Sequence, residues 1–155
     1  MKKFKFQLET LLRVTRSKKE DAEVAFANAS RELEDKRAHM QMLLTAMQQG
    51  QHKCAPITQE GKRVTVGRLM DFNSFFQWKR EQIEMQQQLI LQAKAERQKR
   101  LKELMEVMSY LKSIEQLREK RLQEYKDAAL HEEQKMLDEI GLQLYMRNGK
   151  VRDAV

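Results

Sequence analysis

Apolar residues in the first third of the chain keep to one alternating four-and-three spacing. Leu8, Leu12, Ala22, Phe26, Ala29, Leu33, Met40, Leu43 and Met47 fall on it, and Thr15, Lys19 and Lys36 are its polar slots. A spacing that averages about 3.5 residues keeps a narrow seam facing a partner helix, the condition for a left-handed coiled coil. Such a chain offers long surfaces to other proteins and no deep pocket for chemistry.

The breakers set the expected bounds. Helix one is expected over about 5–49, ending before Gly50. A connector over 50–68 collects the only proline, Pro56, and three of the five glycines. Val64 and Val66 alternate within it, but two valines do not make a strand. Helix two is expected over about 69–146, with Gly141 inside it at about 1 kcal/mol relative to Ala. At a 1.5 Å rise that helix is roughly 115 Å long, and 147–155 reads as a frayed tail.

In helix two, Phe72, Phe76, Ile83, Ile90 and Ala93 continue one register. A slip near Arg97 then leads to a second, through Leu101, Leu104, Met108, Leu111, Leu122, Tyr125, Ala129 and Met136. Such a stutter locally unwinds the supercoil. The expected fold is all-α: one domain over 1–155, an antiparallel two-helix coiled-coil hairpin with a longer second helix. Folding back across the connector pairs Met47 with Phe72, Leu43 with Phe76 and Leu8 with Leu111. Helix two then outruns helix one from about residue 112, leaving Leu117, Leu122, Tyr125, Met136, Leu137, Ile140 and Leu144 for an intermolecular partner.

Composition agrees with solvated helices. Charged residues are 34% of the 155, aromatics 6%, and glycine and proline together number six. The net charge of +7 is unevenly placed: residues 1–49 hold ten basic and seven acidic groups, 50–68 four and one, 69–155 sixteen and fifteen. Pairs such as Glu9/Arg13, Glu32/Lys36 and Glu96/Arg100 stand at the i,i+4 spacing of helix surfaces. Lys2, Lys3 and Lys5 make a short basic start. The runs 94–100 and 118–121 are basic but flanked by Glu103, Glu106, Glu115 and Glu124, so no continuous positive face for nucleic acid is expected.

Candidate chemistry changes the picture little. Cys54 is the lone cysteine, so no intrachain disulfide is possible, and a His52/Cys54 metal site lacks two further ligands. No GxxxxGK phosphate loop occurs. No catalytic, cofactor or metal site is expected. Neither a membrane span nor a signal-peptide core stands out, and a cytosolic protein, docked at a membrane only through partners, is the expectation. Phe72, Phe75, Phe76 and Trp78 form the densest apolar cluster, with Phe75 and Trp78 off the seam. They are read either as the cap of the hairpin tip or as an anchor for a partner.

Two stretches carry a resemblance. FKFQLETLLRVTRSKKEDAE (4–23) is similar to the opening of the flagellar export protein FliJ family. IEQLREKRLQEYKDAALHEEQKMLDEIGLQLYMR (114–147) is similar to that family's carboxy-terminal pattern, notably EQKMLDEI with Gln134, Lys135, Asp138 and Glu139. The middle agrees only in kind. The resemblance implies a non-enzymatic component of the flagellar type III export apparatus, built like the central stalk subunit of rotary ATP synthases. It implies docking in the ring of the export ATPase FliI, contact with the export-gate protein FlhA, interaction with substrate chaperones, and a cytoplasmic place at the inner face of the membrane. On that footing Leu43, Phe72, Phe75 and Phe76 are the expected gate-binding residues. Arg118, Arg121, Leu122, Tyr125, Lys135, Met136 and Ile140 are the expected ATPase-binding ones. The alternatives are an injectisome stalk homologue and a generic coiled-coil scaffold, which would favour parallel self-association.

Overall fold

The computed structural model describes residues 3–59 and 61–152, and of 151 and 152 only the backbone. Two helices, α1 (Glu9–Cys54) and α2 (Val66–Arg152), make up the fold, with no strand among the described residues. They pack antiparallel as a coiled-coil hairpin, and α2 is the longer, 87 residues against 46. The chain divides into two compact units, one formed by Met1–Ser17 with Met108–Val155 and the other by Lys18–Val107.

Both helices pass through glycines expected to stop them. α1 includes Gly50 and ends four residues later, with Pro56 just beyond. Gly50 persists because Phe75 lies against it: a Cβ there would stand 2.5 Å from the ring. α2 begins at Val66, includes Gly67, Gly141 and Gly149, and so occupies part of the expected connector and of the expected tail. The Thr65 hydroxyl accepts the Arg68 N–H at 3.4 Å, the N-cap position that satisfies an orphan donor of the first turn. The connector is thereby 55–65. It turns through Thr58 N–H to Cys54 C=O at 3.1 Å and through Gly61, whose φ of 85° suits a residue without Cβ. Residues 153–155 of the expected tail lie outside the described residues.

In the unit formed by Lys18–Val107, the seam of α1 holds Ala29, Leu33 and Leu43 buried, with Ala22, Phe26, Lys36, Met40 and Met47 half-buried. From α2 come Phe72, Phe76, Lys79, Ile83, Gln86, Ile90, Ala93, Arg97, Arg100, Leu104 and Val107, all buried or half-buried at four-and-three spacing. The slip expected near Arg97 is therefore absent. Polar side chains fill those slots. Gln86, 4% exposed, donates its amide to the Lys36 C=O at 2.8 Å. Arg97 lays its guanidinium over the Phe26 ring at 5.1 Å and donates to the Ser30 hydroxyl at 3.1 Å. Long cationic side chains bury their stems in this way while the head finds a partner. Arg100 sits between Glu96 at 2.9 Å and Glu103 at 3.2 Å. The Glu96 hydrogen bond first, and then the charge of Glu103, hold its pKa above the usual guanidinium value.

In the other unit the core is Leu12, Leu111 and Ile114, with Phe6 and Leu11 packed on it. Thr15 is 2% exposed, and its hydroxyl donates to the Leu11 C=O at 2.8 Å, so this polar seam residue is satisfied within its own helix. Leu12, and not Leu8, lies in the cluster with Leu111, while Leu8 is exposed. The pairing is displaced by about one helical turn from the expected one. Met108 is exposed, and the four-and-three spacing runs on through Leu111, Ile114 and Arg118 before four residues separate Arg118 from the half-buried Leu122. The stutter falls there.

Candidate partner-binding surfaces

The amino-terminal segment ahead of α1 covers part of α2. Phe4 packs on Tyr125, ring centroids 5.6 Å apart and tilted by 52°. Arg118 donates to Glu9 at 3.3 Å, and Arg16 donates to Glu115 at the same distance. An open groove of about 1100 Å³ runs between Lys3, Phe4, Lys5 and Phe6 on one side and Leu117, Arg121 and Tyr125 on the other. The expectation that α2 runs uncovered from about residue 112 is thus corrected. Leu122, Tyr125 and Ala129 are still half-buried, and exposure becomes continuous only from Leu130 to Lys150.

Within that uncovered stretch Leu130, Leu137 and Leu144 recur at seven residues, with Ile140 between them and Met136, Leu142, Tyr145 and Met146 beside them. Each is at least half exposed. Of the residues expected to meet the ATPase, Lys135, Met136 and Ile140 belong here, exposed to solvent. Arg118, Arg121, Leu122 and Tyr125 lie instead on the part of α2 beside the amino-terminal segment. Arg121 is exposed and pairs with Glu124 at 3.4 Å.

The second surface lies beside the turn, in the unit of Lys18–Val107. Phe75 and Phe76 meet edge to face with centroids 5.5 Å apart, and Phe72 lies one turn earlier on α2. Lys79 Nζ stands 5.7 Å from the Phe75 centroid and 4.9 Å from that of Trp78, which is 54% exposed. Phe72, Phe75, Ile57 and Ala46 line an open cavity of about 570 Å³ rimmed by Lys53, Arg68, Asp71 and Lys79. Leu43 is 7% exposed and belongs to the seam, so of the four residues expected at the gate only the three phenylalanines reach a surface. Sequence reasoning had no reason to join Ile57 and Lys53 to Phe75. The one available signal was the basic excess of residues 50–68.

Among the described residues no cluster of three His, Cys, Asp or Glu side chains could hold a metal ion. No helix among them is long and apolar enough to cross a membrane. The cysteine, Cys54, is half-buried at the end of α1. What the fold defines is a coiled-coil interaction protein, with a consumed seam along most of its pairing and an unconsumed stripe on the longer helix.

That class narrows to one family. The family described as Flagellar FliJ protein matches residues 4–150, nearly the whole chain, and the chain belongs to it. It is a coiled-coil protein of flagellar export, associated with the export machinery. No curated protein and no solved structure matches it.

Proposed function

We propose that this chain is the non-enzymatic coupling stalk of the flagellar type III export apparatus. The carboxy-terminal stretch of α2, with the basic amino-terminal segment beside Tyr125, seats in the ring of the export ATPase FliI and promotes its assembly. The aromatic surface beside the turn meets the export gate FlhA, and the chain escorts substrate chaperones. It works in the cytoplasm, held at the inner face of the membrane by these partners.

The observation that carries this reading is the run of exposed residues from Leu130 to Lys150, which keeps a seven-residue apolar repeat that no helix among the described residues covers. An exposed apolar stripe of that kind on a helix marks a surface for a partner. A shaft within a six-fold ring cannot match six subunits at once, so adaptable side chains serve it better than one rigid pocket. Met136 and Met146 are thioethers free to re-pack, and Lys135 and Arg147 are long cations that reach in several directions.

Removing the chain after Leu130 tests this with purified export ATPase and gate. The expected result is loss of stimulated ATP hydrolysis with gate binding retained. Loss of gate binding with stimulation intact would mean that the two surfaces have been assigned the wrong way round.

A further inference from the structure

We infer that the cavity beside the turn takes an acidic segment of a partner protein that carries one large apolar side chain. This rests on the reading that the turn surface meets a partner, and it adds the chemistry of the piece that docks.

The floor is apolar and partly prebuilt. Gly50 leaves the room that the Phe75 ring occupies, since any Cβ there would stand 2.5 Å from the ring. Phe72 and Ile57 complete the walls, both half-buried, so each retains apolar area to give to an incoming side chain. A space of about 570 Å³ suits a single aromatic or branched side chain with its flanking backbone. Burial of one such anchor in a pocket is how peptide interfaces concentrate their energy.

The rim decides the charge. Lys53, Arg68 and Lys79 border the cavity, against one carboxylate, Asp71. Among the described residues no carboxylate lies within hydrogen-bonding or ion-pairing distance of any of the three cations. Lys79 is engaged by the Trp78 and Phe75 rings and by the Gln82 side chain at 3.5 Å, none of which neutralises it. Lys62 and Arg63, against Glu60, keep the connector of the same turn net positive. Acidic groups flanking the anchor would complete these cations, steer the approach and exclude basic or neutral segments.

The test uses the full chain and fluorescein-labelled pentapeptides read by anisotropy: Glu-Asp-Trp-Glu-Asp, its neutral counterpart Gln-Asn-Trp-Gln-Asn, and an acidic one with Ser in place of Trp. The first should bind at low salt and weaken as ionic strength rises from about 50 to 300 mM. The other two should each bind about tenfold more weakly or worse, one lacking the charges and the other the anchor. Lys53→Glu with Arg68→Glu, both exposed positions, should weaken the first peptide by about tenfold, and Asp71→Asn should strengthen it by about twofold. Equal binding of all three peptides, no binding of the first, or indifference to the double substitution overturns the inference. So does a short oligonucleotide that displaces the peptide at equal concentration. Gate binding that survives without peptide binding would sink this inference alone. Peptide binding that obeys these rules while the gate fails to bind would support the cavity and sink the gate assignment.

Discussion

Two parts of α2, both in the unit that also contains the start of α1, have similar sequences and different surroundings. Leu111 and Ile114 are 7% and 5% exposed, packed with Leu12. Ile140 and Leu144 keep the same kind of spacing on the same helix and are 52% and 53% exposed. Helix propensity is similar in the two, since both are mixtures of Leu, Glu, Lys, Gln and Met. The difference is the presence or absence of α1 alongside. Packing, rather than composition, decides which apolar stripe becomes core and which stays available, and the available one is the natural place to look for a partner.

Truncating each side chain should separate the two parts most sharply. Leu12→Ala, at 1% exposure, removes atoms from a closed cluster and should cost about 2–5 kcal/mol in denaturant unfolding. Ile140→Ala should change stability by less than about 0.5 kcal/mol, because its side chain is already in water. On the proposed seating of this stretch in the ATPase ring, it should weaken that interaction instead. Equal destabilisation by the two substitutions would mean that the carboxy-terminal stripe is covered within the chain, and the comparison would fail.

A smaller effect tests whether the turn is packed like the closed part or open like the stripe. Gly50→Leu places a side chain where Phe75 already stands and should cost about 1–3 kcal/mol by overpacking, despite the better helix propensity of leucine. An unchanged or raised melting temperature would show that the Phe75 ring swings aside freely, and that the cavity beside it is not prebuilt.

The least effect is expected at the edge between the covered and uncovered parts. Glu9→Gln removes the carboxylate facing Arg118, an exposed pair that should contribute no more than about 1 kcal/mol, and less in high salt. A loss well beyond that, measured at two salt concentrations, would mean that the amino-terminal segment is held chiefly by this ion pair. In the structure the Phe4–Tyr125 contact and the seating of Phe6 on the core share that task.

Much of this was legible in the residues themselves. The seven-residue repeat from Leu8 to Met47 specified a helix with one buried seam, and every slot of it except Leu8, 38% exposed, is buried or half-buried in the fold. The end motifs pointed to the family that residues 4–150 match. The register between the helices was not legible. A repeat looks the same after a shift, so pairing Leu8 or Leu12 with Leu111 satisfies the apolar pattern almost equally well. Specific cross-helix contacts break that degeneracy: the Gln86 amide on the Lys36 carbonyl, Arg97 over Phe26, Gly50 against Phe75. These same residues look like interruptions when only hydrophobicity is counted, which is why the stutter was expected near Arg97 and Gly50 was read as a stop. The local pattern determined that there are helices and which face each buries. Only the tertiary structure decided where they meet, and so how much of α2 is left over, because that choice rests on a few specific contacts between residues far apart in sequence.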